Sequence, residues 1–258
     1  MSLSGKSAVI TGAGSGVGRA TALRFGADGA KVVCADIRDD WATATADRIR
    51  AAGGTAVALR TDVTAESDVE AAIQTAADTF GRLDIMVNNV GITRQTGMRL
   101  EDHDDTDFQI LVDVNFRGVY YGCKHAVLRF KAQGGGGVIV NTGSVAGLVG
   151  WGGTLYGATK AAVNQITRGV AVECAADGIR VNAICPAAMP LTNFGVPEGE
   201  APNRRLPDEE LKWIADMHPL GRYITAEDCA HAIAFLASDE AANITGVLLP
   251  VDGGFVAR

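Results

Sequence analysis

Tyr156 and Lys160 stand four residues apart, downstream of the run Val138-Ile139-Val140-Asn141-Thr142-Gly143-Ser144, which ends in a serine. On a helix that spacing puts both side chains on one face, so the ammonium is expected within reach of the phenol. A phenol ordinarily ionises near pH ~10. A unit positive charge about 4 Å away, at an effective dielectric of about 20, favours the phenolate by roughly 4 kcal/mol. The expected chemistry is proton exchange by Tyr156 near neutral pH, beside the Ser144 hydroxyl at a strand end. The same spacing recurs at Tyr120 and Lys124, inside a long helical pattern and with no serine-ended strand before it. That pair is expected to be helix surface or subunit contact.

A second group of residues could hold a nucleotide. Ser7-Ala8-Val9-Ile10-Thr11 reads as a short buried strand that runs into Gly12-Ala13-Gly14-Ser15-Gly16-Val17-Gly18 and then a helical pattern, Arg19 to Gly26. Strand, glycine turn and helix are the parts of a dinucleotide-phosphate site. The backbone comes close to the pyrophosphate, and the helix start offers unpaired N–H groups and a positive dipole end. The spacing is Thr11-Gly12-x-x-x-Gly16-x-Gly18 and not Gly-x-Gly-x-x-Gly, and a plain tight turn is the competing reading in a chain with 32 glycines. Lys31-Val32-Val33-Cys34-Ala35-Asp36 follows as a strand ending in an acid. A carboxylate there accepts both hydroxyls of an adenosine ribose and repels a 2′-phosphate, which favours NAD over NADP. Arg38 and Arg19 are the cations that oppose this preference.

These residues need a scaffold that presents them along one edge, and the chain supplies an alternation of strands and helices. A helix around Trp41–Ala52 leads to the strand Ala56–Arg60 and then Asp62-Val63. A helix around Glu66–Phe80 leads to Leu83–Val87 and then Asn88-Asn89-Val90-Gly91. In a parallel sheet the carboxyl ends share one rim, where ligands bind. There Asp62 could hold an adenine amino group, and the Asn88–Gly91 turn could pass close to a cofactor. A helix from about Asp107 to Lys131 contains Asn115, a poor interior helix residue that signals a locally distorted turn, a bound water or a satisfied polar residue facing solvent. After the Tyr156 helix come Ile179–Ile184 and Cys185-Pro186. From Ala187 to about Leu206 the composition turns to Pro, Gly, Asn and charge, and a substrate lid is expected around 187–220. A helix near Ala226–Ser238, a strand Gly246–Pro250 and Asp252-Gly253-Gly254 close the pattern, with no linker or internal repeat.

The chain has 258 residues, 47% of them hydrophobic, a net charge of −7 and no basic stripe. One α/β domain is expected, with no nucleic-acid or anionic-membrane partner. The first residues lack the long apolar region of a signal peptide, so a cytoplasmic location is expected. Five widely spaced cysteines without Cys-x-x-Cys predict reduced, mostly buried thiols. The four histidines show no ligand spacing, so no metal site is expected.

In order along the chain, Thr11-Gly12-x-x-x-Gly16-x-Gly18, Asp62, Asn88-Asn89-Val90-Gly91, Asn115, Ser144, Tyr156-x-x-x-Lys160, Pro186 and Asp252-Gly253-Gly254 closely resemble the short-chain dehydrogenase/reductase family. The resemblance implies a Rossmann fold: a seven-stranded parallel sheet in the order 3-2-1-4-5-6-7, with helices on both faces, in a homotetramer or homodimer. It implies a catalytic tetrad with Tyr156 as acid/base, Ser144 on the substrate oxygen, Lys160 on the ribose and lowering the phenol pKa, and Asn115 positioning a water. It also implies phosphate contacts from Gly12, Ser15, Gly16, Val17 and Gly18, and adenosine contacts from Asp36, Asp62 and Val63. Asn89, Gly91, Tyr156 and Lys160 would line the ribose and nicotinamide, with Pro186, Met189 and Thr192 beyond them. The reaction implied is hydride transfer between NAD and a secondary alcohol or ketone.

Three departures from the family pattern stand out. Val90 replaces an alanine, Ala187 replaces the glycine expected after Pro186, and the gap from Ser144 to Tyr156 is twelve residues, one fewer than expected. Ala187 is expected to alter backbone geometry near the nicotinamide, and the short loop to alter the substrate pocket. Two other readings stay open. An NADPH-dependent 3-oxoacyl-carrier-protein reductase would use a basic mouth to which Arg204-Arg205 could belong, and a non-catalytic dinucleotide-binding scaffold would need no tetrad. Cys185 is expected to be an apolar filler. Trp151 and Tyr223 could border a substrate, and Phe194, Trp213 and Met217 could form an apolar lid face.

Overall fold

Strands rich in Val, Ile, Ala and Cys with little polar alternation have to be covered on both faces. The computed structural model, which describes residues 2–94, 98–190, 192 and 206–258, covers them with helices. The first half runs β1 (Ser7–Thr11), α1 (Gly16–Ala27), β2 (Lys31–Asp36), α2 (Asp39–Ala51), β3 (Thr55–Arg60), α3 (Glu66–Phe80) and β4 (Ile85–Asn88). The second runs α4 (Asp105–Val112), α5 (Gly118–Gln133), β5 (Gly137–Thr142), α6 (Thr154–Cys174), β6 (Ile179–Pro186), α7 (Asp208–Asp216), α8 (Ala226–Ala237) and β7 (Leu248–Val251). All strand pairs are parallel, in the order β3-β2-β1-β4-β5-β6-β7.

Successive side chains of β1 leave on opposite faces, as the two-residue strand period requires. Ala8 and Ile10 join Val32, Cys34, Phe25 of α1, Ile49 of α2 and Ile233 of α8 in one core. Val9 joins Val33, Met86, Ile139, Ile73 of α3, Phe130 of α5 and Val163 of α6 in the other. Each fully buried Ile, Leu or Phe contributes about 1.5–3 kcal/mol, so these two layers hold the sheet rim in place. The chain leaves β3 at one edge and re-enters as β4 beside β1, and this reversal opens a crevice between their carboxyl ends.

Two elements differ from the sequence pattern. The helix expected from Asp107 to Lys131 is broken: α4, capped by the Asp104 carboxylate on the Asp107 N–H, gives way to a π turn over Asp113–Arg117 before α5. The expected lid contains the helix α7, whereas residues 191 and 193–205 lie outside the described residues, with Phe194, Arg204 and Arg205 among them. All five cysteines are buried free thiols. Among the described residues no helix is long and apolar enough to cross a membrane.

Candidate active site

Thr11 and Asn89 meet across the crevice. Thr11 Oγ1 accepts the Asn89 backbone N–H at 3.0 Å, and Asn89 Nδ2 donates to the Thr11 carbonyl at 3.1 Å. The glycine turn opens from this junction. A β-carbon on Gly18 would lie 2.0 Å from the Gly12 carbonyl oxygen, so only glycine lets α1 start so close to the strand end. Ser15, in the cap position, makes no side-chain cap hydrogen bond, which leaves the first-turn N–H groups of Gly16, Val17 and Gly18 to an anion. Thr192 closes over this turn: a β-carbon on Gly16 would be 3.5 Å from Thr192 Cβ. The Thr192 hydroxyl donates to the Met189 carbonyl at 3.2 Å. This cradle fits the pyrophosphate of a dinucleotide.

Asp36 ends β2 almost fully buried. Its Oδ2 accepts the Gly14 N–H at 2.8 Å and its Oδ1 the Arg38 N–H at 2.9 Å, so the carboxylate is fixed at the turn with lone pairs to spare for hydroxyl donors. The Arg38 guanidinium lies over the Trp41 ring, 4.7 Å from its centroid, with Nε 3.5 Å from Asp40. Asp62 accepts from the Thr64 N–H and hydroxyl at 2.9 and 2.7 Å, while buried Val63 follows it.

The tetrad expected from sequence converges. β5 delivers Ser144 and α6 delivers Tyr156 and Lys160. The Ser144 oxygen accepts the Ala146 N–H at 3.1 Å, and its single proton is shared between the Tyr156 phenol oxygen and the Pro186 carbonyl, 3.4 Å away. Lys160 is 2% exposed, and its Nζ donates to the Thr142 carbonyl at 2.8 Å. A β-carbon on Gly91 would come within 3.0 Å of this Nζ, so glycine there lets the β4 turn close onto the lysine. Asn115, fully buried in the π turn, clamps both backbone groups of Ile92: Oδ1 accepts its N–H at 2.8 Å and Nδ2 donates to its carbonyl at 2.9 Å. Its other amide proton goes to Thr159 Oγ1 at 3.2 Å, and Thr159 in turn donates to the Tyr156 carbonyl at 2.8 Å. This clamp accompanies the departure of Asn115 from regular α geometry, and π turns recur at functional sites.

The electrostatics correct the simplest expectation for the tyrosine–lysine pair. The ammonium lies 5.9 Å from the Tyr156 ring centroid and spends its hydrogen bond on Thr142. Burial pushes the phenol up to about 12, against the Ser144 hydrogen bond that favours its ionised form. Burial also pulls Lys160 down to about 8. Desolvation, and not the ammonium, therefore dominates the phenol here.

Other residues fall into place. Lys124 pairs with Glu66 at 2.6 Å and Tyr120 is 44% exposed, so their helical spacing is a surface feature. Cys185 is buried, its thiol pushed up to about 11 by desolvation, and it donates to Asn164 Oδ1 at 3.5 Å, as a filler would. The Ala187 methyl joins the core and its N–H donates to the Val251 carbonyl at 3.3 Å, so alanine is accommodated after Pro186. Trp213 is 64% exposed. Thr142 and Thr159 are site residues that no motif in the sequence marks. Their signal is position, one at the end of β5 and one between Tyr156 and Lys160.

Residues 12–256 match a family model described as enoyl-(acyl carrier protein) reductase. The chain is 41% identical to a cis-4-hydroxycyclohexanecarboxylate dehydrogenase of Sinomonas cyclohexanicum, covering 97% of this chain and 96% of that protein. It is 40% identical to 3beta-hydroxysteroid dehydrogenase 2 of Eggerthella lenta, covering 99% and 96%. A crystal structure of a short-chain type dehydrogenase/reductase from Mycobacterium marinum superposes with a TM-score of 0.90 at 32% identity, over 100% of this chain and 98% of that one. The family model spans nearly the whole chain and the relatives match it end to end, so the chain belongs to the short-chain dehydrogenase/reductase family of oxidoreductases.

Proposed function

We propose that this protein is an NAD-preferring dehydrogenase that interconverts a secondary alcohol and a ketone, with Tyr156 as the acid/base. The observation that carries the reading is the hydrogen-bonded meeting of the buried Ser144 hydroxyl with the half-buried Tyr156 phenol, beside a buried lysine. When bound, a nicotinamide dinucleotide supplies the hydride acceptor or donor. Ser144 and Tyr156 hold the reacting oxygen between them. In the reducing direction Tyr156 gives its proton to the developing alkoxide, a role suited to a phenol held protonated at neutral pH. In the oxidising direction it must first lose that proton, so oxidation quickens as pH rises. Lys160 braces the strand end through Thr142 and supplies positive charge where the ribose would lie. Both amide protons of Asn115 are engaged, so its side chain acts as the clamp and any relay water falls to the backbone of the π turn.

Asp36 at the ribose position, with Arg38 drawn onto Trp41 and Asp40, supports NAD. The hydroxysteroid and hydroxycyclohexanecarboxylate dehydrogenases to which the chain is similar suggest a hydroxyl borne on a saturated ring. Exposed Phe108, Ile110, Tyr120 and Leu128 along α4 and α5 support a homo-oligomer.

The test is turnover of ring-borne and open-chain secondary alcohols with NAD and NADP, followed by reduced-cofactor absorbance, in wild type and Tyr156→Phe. The variant is expected to lose at least about 10³-fold in kcat while still binding cofactor. Retained turnover would overturn the tyrosine assignment, and higher efficiency with NADP would overturn the role given to Asp36.

A further inference from the structure

The short loop between Ser144 and Tyr156 does not stand alone. Leu148 and Val149 point outward, 36% and 41% exposed, whereas Trp151 turns inward. Its indole meets Phe255 edge-on, with centroids 5.3 Å apart and planes at 63°. The next residue lies against the proposed acid/base: a β-carbon on Gly152 would be 3.7 Å from Tyr156 Cδ1. Trp151, like Met189, packs against the core that holds Val145 and Ala187.

Phe255 is itself anchored. Asp252 is buried, and its carboxylate accepts the N–H groups of Gly254 and Val256, both at 2.9 Å. On another side of the ring, the Arg258 guanidinium lies 5.6 Å from the centroid and donates to the Met217 carbonyl at 2.7 Å. His218 approaches with its ring centroid 6.1 Å away. Phe255 therefore touches two segments far apart in sequence, the loop leading to Tyr156 and the end of α7 in the expected lid.

We infer that Phe255 is a positioning residue for substrate selectivity: it seats Trp151 as an apolar wall beside Tyr156 and sets that wall relative to Met217 and His218. The inference rests on the secondary-alcohol reading above. A seated indole offers a rigid apolar face that a ring-borne alcohol covers and a short open-chain alcohol does not. Loss of the seat should raise KM for the ring alcohol and leave the chemical step alone, since Phe255 acts through Trp151.

The experiment compares Phe255→Leu, which keeps apolar volume, and Phe255→Tyr, which keeps the ring, with wild type, using cyclohexanol and 2-butanol with NAD. Phe255→Leu should raise KM for cyclohexanol about three- to tenfold, with kcat and the 2-butanol constants within about twofold, and Phe255→Tyr should restore the wild-type ratio. A second readout needs no turnover. With Trp41 and Trp213 replaced by Phe, Phe255→Leu should shift Trp151 emission to the red as the indole meets water. Equal loss with both alcohols, or an unmoved emission maximum, overturns the inference. A wild type silent on every alcohol counts against the catalytic reading, and Trp151 emission then decides the positioning claim by itself.

Discussion

Lys160 is the one charged side chain among the largest fully buried residues described, and its burial has a consequence for folding as well as for chemistry. Desolvation lowers its pKa from 10.5 to about 8, so at pH between about 8 and about 10 the unfolded chain binds more protons at this position than the folded one. In that window stability contributed through Lys160 rises with pH. Below it both states are charged, and the cost of the buried ammonium is borne in full. Lys160→Met removes the titration. Relative to this variant, wild type should gain roughly 2 kcal/mol in urea unfolding between pH 8 and 10, and parallel pH profiles would contradict the buried-ammonium account. Tyr156 opposes this at higher pH. Its raised pKa, about 12, means that the folded chain holds the phenolic proton after the unfolded chain has lost it, so stability falls as pH rises past about 10.

Among the elements, the β1–glycine turn–α1 unit tolerates least change. A methyl on Gly18 would collide with the Gly12 carbonyl and the Asn89 amide, both rigid, whereas one on Gly16 would meet only Thr192. Gly18→Ala should therefore open the turn and weaken NAD binding at least about tenfold by fluorescence titration, through displaced N–H donors. Unchanged affinity would mean that the cradle adapts. This unit was legible in the sequence because strand period, glycine spacing and helix period are all local. The break in the long helix at Asn115 was not, because apolar periodicity runs through it. The break goes with a pair of hydrogen bonds to Ile92, which no local pattern records. The tyrosine–lysine pair was legible in position and not in electrostatics. Spacing brings the two onto one face, but which carbonyl takes the ammonium, and how dry the phenol is, depends on Thr142 and the packing around it. Likewise Thr192 over Gly16, and Phe255 against Trp151, join residues that only the closed fold brings together.

Across the whole molecule, the position of Ser144 relative to Tyr156 depends on how α6 is set on β5, and a buried polar seam fixes that setting. Asn88 Nδ2 donates to Asn141 Oδ1 at 2.9 Å, and Asn141 Nδ2 donates to Thr167 Oγ1 at 2.9 Å, linking β4, β5 and α6. Cys123 of α5 closes the cluster, its sulfur 3.7 Å from Asn141 Oδ1. Apolar packing alone holds a helix against a sheet without fixing its axial position, whereas a directional hydrogen bond does fix it. Asn141→Leu leaves the buried Asn88 amide with only the weakly accepting Cys123 sulfur, at 3.6 Å, at a cost of about 1–3 kcal/mol. For a chain of this size that corresponds to a Tm lower by about 3–10 °C. The variant should also lose kcat several-fold at temperatures where it stays folded, because α6 carries Tyr156 and Ser144 lies just past the end of β5, and a small slide between them parts the two hydroxyls. Thermal unfolding and steady-state kinetics on the same preparation separate the two effects. A lower Tm with unchanged kcat would show that packing alone sets the helix and that the seam contributes only to stability.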